Sequence, residues 1–355
     1  MSIEQASYYS TTAYRSDSIP KQQPSAGRSW TRSFTKMRLP WGMTQEVAPE
    51  DFLHEREPSS LRLQETWNKE REAKKALGTY IPAPYEHVDF HGKEDHERFR
   101  FSLWSKRSHF WIYMHMFGKW FFLLGLLPGI FTLTVAVAKL EETWIEITQE
   151  SFRSFFVWYS GVPIACWAIG SLVLRYLPSL WVKPSRGPIW ELNRRTGLVT
   201  VFDYKNNGEY KKNGTIGEVT APFYEFDAYI STTPDRQGLP VNVLYLAHRY
   251  RDIVINFRPI MPPGEGELLC ALWDFIQNYM DTSRPLPDLP RYEEFRHLDP
   301  VTADFDRKVN RNPRLWIDMD DKDYKHCLRV LRTRIDEIDT FQRPNLMARY
   351  VEYVD

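Results

Sequence analysis

The run WFFLLGLLPGIFTLTVAVA, from Trp120 to Ala138, and the run FFVWYSGVPIACWAIGSLVL, from Phe155 to Leu174, decide how the chain reads. Neither holds a charged residue. About 20 apolar residues in helical form cross a hydrocarbon layer ~30 Å thick, so the pair predicts a two-span transmembrane hairpin. Pro128 and Gly129 interrupt the first run, Gly161 and Pro163 the second. Such breaks are tolerated where a neighbouring helix satisfies the freed backbone groups. The competing reading is a buried helix hairpin in a domain core. Trp120, Trp144, Trp158, Tyr176 and Trp181 fall at or near the ends, where interfacial aromatic rings would sit.

Orientation follows from the flanks. Arg100, Lys106, Arg107 and Lys119 precede the first run; Arg175, Lys183, Arg186, Arg194 and Arg195 follow the second. The loop between them carries Glu141, Glu142, Glu146 and Glu150 against Lys139 and Arg153. The positive-inside rule then places both termini in the cytoplasm and the acidic loop outside. Residues 1–20 are polar and lack the apolar core of a signal peptide.

Working outward, the 355 residues balance 46 Lys and Arg against 46 Asp and Glu, so no net field favours nucleic acid. Cys166, Cys270 and Cys327 form no metal or disulfide pattern and read as reduced, small apolar residues. Residues 1–60, rich in Ser, Thr, Arg, Gln and Pro, read as a mostly disordered tail. Arg28, Arg32, Lys36 and Arg38 interleave there with Trp30, Phe34, Met37 and Trp41, as in a segment lying on lipid or docking on a partner. Ser59 or Ser60 could cap a charged helix from about Leu61 to Leu77. His87, His91 and His96 lie near Glu86, Asp89, Glu94 and Asp95, but their spacing matches no established metal motif.

Beyond the hairpin the period changes to two. Ile189–Asn193 and Leu198–Phe202 read as a β-hairpin turning at Gly197. Further strands are expected over Thr215–Val219, Phe223–Ser231, Val241–Ala247 and Asp252–Phe257, with a short one near Glu209–Lys211. Leu268, Leu269, Leu272, Phe275, Ile276 and Tyr279 give a helix from about Gly266 to Tyr279 one apolar stripe. A second helix, about Asp321 to Thr340, carries Tyr324, Leu328, Leu331, Ile335 and Ile338 on one face for packing or partner pairing. Asp318, Asp320 and Asp321 at its start fit a cation or simply a helix N-terminus.

Antiparallel strands closed by one C-terminal helix resemble a pleckstrin-homology-like barrel, which implies a binding module. Ala271–Met280 (ALWDFIQNYM), Pro285–Asp288 (PLPD), Gly187–Trp190 (GPIW) and Arg343–Met347 (RPNLM) resemble an uncharacterised family of bacterial two-pass membrane proteins. The likeness covers roughly 105–350 and implies a multi-pass place in the bacterial inner membrane. Members of that family are often encoded near type VI secretion genes, and they bring no catalytic residues to carry over.

The sequence therefore predicts an α+β chain in five parts. These are a tail (1–60), a charged helix and polar loop (61–105), a transmembrane hairpin (106–182), a cytoplasmic antiparallel β-barrel or sandwich closed by a helix (187–290), and a helical extension (291–355). No phosphate loop, dinucleotide fingerprint or nucleophile elbow is present, and Gly264-Glu265-Gly266 reads as a loop. No catalytic, cofactor-binding or metal-binding residue is assigned. The expected function is a non-enzymatic, membrane-anchored interaction protein, an immunity or accessory factor of type VI secretion. Its expected partners are the lipid bilayer, a toxin or secretion component and a second copy of itself, with no nucleic acid. Two alternatives stand beside this: a pore-forming effector, with Ser160, Gly161, Ala165, Ala168, Gly170 and Ser171 at helix contacts, and an enzyme with an unrecognised site.

Overall fold

Strands form where apolar residues alternate and helices where they recur every three or four. The computed structural model shows this over residues 8–26, 35–43, 45–83, 86, 88, 90–140, 160–203, 217–261 and 263–354. Side chains at 26, 35, 36, 127–129, 132–133, 136–137 and 139–140 fall outside the described set. So do the expected short strand near Glu209, Asn213, His87, Asp89, Trp144 and Trp158.

The elements run β1 (Ser25–Ala26), β2 (Thr35–Arg38), α1 (Asp51–His54), α2 (Pro58–Ala76), β3 (Lys93–Glu94), β4 (Arg98–Phe101), α3 (Lys106–Leu140), α4 (Val162–Tyr176) and α5 (Pro178–Trp181). They continue with β5 (Trp190–Asn193), β6 (Leu198–Asp203), β7 (Gly217–Pro222), β8 (Phe226–Pro234), β9 (Pro240–His248), β10 (Val254–Asn256) and α6 (Gly266–Met280). Last come α7 (Pro300–Lys308), α8 (Leu315–Asp318), α9 (Asp321–Asp336) and β11 (Tyr353–Val354). Two compact units result. One takes the described parts of 1–80, 92–101 and 188–355; the other takes those of 81–91 and 102–187.

In the first unit, one antiparallel sheet has the order β3-β4-β5-β6-β7 and a second the order β10-β9-β8-β2. β1 pairs in parallel with β11. Each sheet is an open row of strands, so the expected barrel does not close among the described residues. The strands missing from the sequence reading are β1 and β2 in the expected tail, β3 and β4 in the expected polar loop, and β11 in the expected helical extension. The β5–β6 hairpin turns at Gly197, whose φ of +67° suits glycine. A Cβ there would also meet the Thr12 carbonyl oxygen at 2.3 Å, because the 12–14 segment crosses directly over the turn.

Helix α6 is the centre of this core. The sequence gives it one apolar stripe, yet every residue from Leu269 to Met280 is buried. Its polar side is covered by chain from both ends of the sequence. Trp41 stacks edge-on to Trp273 at 4.8 Å, and Trp273 Nε1 donates to the Pro40 carbonyl at 2.9 Å. Gly42 N donates to Gln277 Oε1 at 2.8 Å, and Arg343 forms a buried ion pair with Asp274. The expectation of a mostly disordered 1–60 is thus corrected: Tyr14, Leu39, Trp41, Phe52 and Leu53 are core residues. Helix α2 starts at Pro58, with Glu57 at the cap and no capping hydroxyl, so neither Ser59 nor Ser60 caps it. Proline suits the first helical turn, whose N–H groups are unpaired in any case.

Two arginines with buried side chains fix the connections. Arg194, in the β5–β6 turn, donates to the Tyr279, Asp281 and Arg284 carbonyls at 2.5, 3.0 and 2.7 Å, closing the open C-terminal end of α6. It also pairs at 3.2 Å with Asp299, which caps α7 by accepting from Thr302 N at 3.1 Å. Arg249 grips Asp227 with two bonds of 3.0 and 2.7 Å, and the same carboxylate accepts from Trp41 Nε1 and Tyr353 OH.

In the second unit α3 lies along α4. A Cβ on Gly118 would sit 2.5 Å from Trp167 N, and one on Gly170 would sit 2.8 Å from His115 N. The backbones meet where no side chain intervenes, and His115 Nδ1 and Ser171 Oγ close the contact at 3.0 Å. Gly170, which the pore reading reserved for contacts between chains, is occupied within one chain.

No helix among the described residues is long and apolar enough to cross a membrane. The described part of the second run includes α4, fifteen residues and ~22 Å at ~1.5 Å each. Helix α3 is longer and opens on Lys106, Arg107, His109, His115 and Lys119, ahead of the apolar run. The absence of a spanning helix among the described residues overturns the transmembrane hairpin in the expected fold class, and with it the inner-membrane, multi-pass localisation with both termini cytoplasmic.

Candidate functional site

A cavity of about 370 Å³ opens within the first unit beneath α9. Val47, Ala48 and Leu53 form one wall, Pro287, Asp288 and Leu289 another, and Trp316 of α8 a third. Helix α9 contributes Cys327, Val330 and Leu331, and Asn278 of α6 also lines the cavity. Glu46, His326 and Arg334 are exposed and make the rim.

Each wall is held by identifiable bonds. Asp320 caps α9, accepting from Lys322 N and Asp323 N at 2.9 and 2.7 Å. The Tyr324 hydroxyl then donates to the Leu53 carbonyl at 3.1 Å, joining α9 to α1. Trp316 N donates to Glu293 Oε1 at 3.0 Å, and its ring N–H to Asp288 Oδ1 at 2.9 Å. Arg311 links both carboxylates at 2.7 Å. Burial pushes the Asp288 carboxyl up, but the bond from Arg311 and the charge of Arg296 outweigh it and hold the group below the usual range. Arg291 sits between Glu94, at 2.6 Å, and Glu55, and so fastens the end of α1 to the segment after Leu289. One guanidinium serves two carboxylates, and burial pushes Glu94 up to about 7 against the pull of Arg291.

Two lining residues bear on chemistry. Burial, with the charges of Asp323 and Asp288, raises the Cys327 thiol, which disfavours the thiolate that a nucleophile requires. Asn278 is only 5% exposed, and its Oδ1 has no hydrogen-bond partner among the described residues. Buried acceptors are nearly always paired, so this atom asks for a donor.

The acidic and histidine clusters singled out from the sequence are dispersed. Asp320 is a helix cap, and Asp318 pairs with Arg314 at 3.1 Å. Asp95 accepts from Glu97 N and Arg98 N in the β3–β4 turn, while His96 stacks near Tyr8 and Phe295. No group of three metal-binding side chains forms among the described residues. Gly264 pairs with Asn242 at the start of α6, as a loop tied to β9. His248 accepts from Tyr250 N and Arg251 N on Nδ1 at 2.9 Å each, which leaves Nε2–H to donate to Glu225 at 2.8 Å. Burial lowers its pKa despite Glu225.

No family model, curated protein or solved structure matches this chain. The stretches that carry the sequence resemblance are packing elements: Trp190 and Trp273 are fully enclosed, Asp274 meets Arg343, and Asn345 Oδ1 accepts from Trp41 N at 3.0 Å. Sequence reasoning missed the cleft because its walls come from 46–53, 278, 287–289, 316 and 326–334. The one local signal was the α9 stripe, read there as packing or pairing.

Proposed function

We propose that this chain is a non-enzymatic interaction protein whose partner places an apolar side chain in the cleft beneath α9. The observation that carries this is the cavity itself. It falls within the ~300–1,000 Å³ range of binding pockets, with apolar walls and few polar groups. The protonated Cys327 thiol favours binding over nucleophilic chemistry. The wider role, as immunity or accessory factor beside type VI secretion, is supported by the resemblance of 271–280 and 343–347. Peptides selected against the full chain from a random display library should carry an aliphatic or aromatic anchor. They should lose binding once Cys327 bears a bulky maleimide. Selected peptides indifferent to that block would place the site elsewhere. For the wider role, co-expression with toxins encoded beside the gene should protect cells, and failure to protect would remove it.

A further inference from the structure

We infer that helix α3 pairs antiparallel with the α3 of a second copy of this chain, along an aromatic seam that its own fold leaves in water. Phe110, Tyr113, Phe117, Trp120, Leu124 and Phe131 follow one another at steps of three, four, three, four and seven residues, the spacing by which one helix seats against another. Each of the six is between 51% and 69% exposed. The other side of α3, at His115 and Gly118, is already taken by α4. The rings are ordered along the helix: Tyr113 and Phe117 lie 5.9 Å apart between centroids, Phe117 and Phe121 6.1 Å. A buried aromatic side chain covers ~150–250 Å², so the five rings of the seam leave roughly 600 Å² in water. Met116, Phe121, Leu123 and Ile130 beside them are exposed as well, which brings the face to the ~800 Å² that each partner gives a stable interface.

The residues flanking the seam bear on which helix it meets. In paired helices these positions usually carry the charges that select a foreign partner. Here they are Met116, Phe121, Leu123 and Ile130, so the seam has no such device and is complementary to itself. Charge sets the direction. Helix α3 contains no Asp or Glu, Lys106 falls on the seam one step before Phe110, and Arg107 follows it. A parallel pair would bring these cations against their own copies, and like charges repel. An antiparallel pair lays them beside the uncharged 131–138 stretch of the other copy, with a two-fold axis near Trp120.

The test follows the mass of the full chain by sedimentation velocity over a wide range of concentration. The unaltered chain should be a dimer. Phe117→Glu combined with Trp120→Glu should raise the dimer dissociation constant about a hundredfold or more, because both rings stand at the centre of the seam. Circular dichroism checks that the variant keeps its helix content. If it does not fold, two single cysteine variants decide. Under mild oxidation Trp120→Cys should link two copies at the axis and Phe110→Cys should not, with the linked peptides identified by mass spectrometry. A chain that stays monomeric throughout would overturn the pairing. A dimer that keeps its affinity in the double Glu variant, or that forms no link through Trp120→Cys, would overturn the seam. A link between two Phe110→Cys copies would overturn the antiparallel direction. A monomer that instead binds phosphatidylglycerol-containing vesicles, and loses them on the same double substitution, would overturn the second copy in favour of lipid.

Discussion

The two units hold themselves together by opposite means. Around α6, contacts are made by what the side chains carry: Asp274 with Arg343, Arg194 on helix-end carbonyls, and Asp227 shared by Arg249, Trp41 and Tyr353. Between α3 and α4, contact depends on what the side chains omit, because Gly118 and Gly170 let the backbones approach. Charged networks are demanding in partners, and a missing member leaves a buried charge unpaired. Glycine contacts are demanding only in volume. The first unit should therefore be sensitive to deletions and the second to additions.

The sharpest test of that contrast is Asp274→Ala, which strands the Arg343 guanidinium. Losing one member of a buried pair costs ~3–5 kcal/mol, and replacing both by apolar residues should recover much of it. Urea midpoints of Asp274→Ala and of Asp274→Leu with Arg343→Met check this; equal losses would break the comparison. Gly118→Ala should cost less, ~1–3 kcal/mol, since the added methyl meets the Trp167 backbone rather than a movable side chain. Amide exchange should accelerate in α3 and α4 and stay unchanged in α6. Acceleration in α6 as well would deny the two units their separate character.

Smaller effects come from pH. Glu94 holds a proton up to about 7 in the folded chain, against an ordinary 4.5. The folded state therefore binds the extra proton between those values, and stability falls as pH rises through that window. Glu94→Gln cannot ionise and should overtake the unaltered chain above pH 7 by ~1–2 kcal/mol, after discounting for the carboxylate's partial exposure. A Gln variant with an unchanged pH slope would remove Glu94 from the account. His248 acts in the opposite sense. Its folded pKa is lowered, so stability is intact above the unfolded value near 6.5 and is lost as pH falls below it. His248→Asn should flatten that acid limb with only a small shift in the neutral midpoint. A steeper limb would mean that the imidazole is charged in the fold.

Much of the local structure was legible. The Gly266 start of α6, the Gly197 turn and the alternation through β8 and β9 each lie in a short window with one dominant period. The N-terminal anchors were not. Tyr14 stands among polar residues, and Leu39 and Trp41 sit in a short Met37–Met43 stretch broken by Arg38, Pro40 and Gly42; all three take their order from distant partners, so no periodicity marks them. Asn278 and Gln277 looked like the solvated side of an amphipathic helix, because nothing local announces that Gly42 will cover one of them. Pro58 displaced the serines because its ring presets the first helical turn. The long apolar runs misled because composition alone was their guide, while no helix among the described residues is long and apolar enough to cross a membrane.

The union of Trp41 with Asn345 across 304 positions has a consequence for biogenesis. As the ribosome delivers the chain, α6 emerges before the residues that neutralise Asp274 and cover Gln277 with Asn345-anchored backbone. The first unit also waits for the whole 102–187 insertion before β5 can join β4. Contacts this distant in sequence slow folding, and partly closed cores attract aggregation. Nascent molecules should pass through a long chaperone-dependent interval, ended when residues 343–353 arrive and lock the N-terminal strap in place.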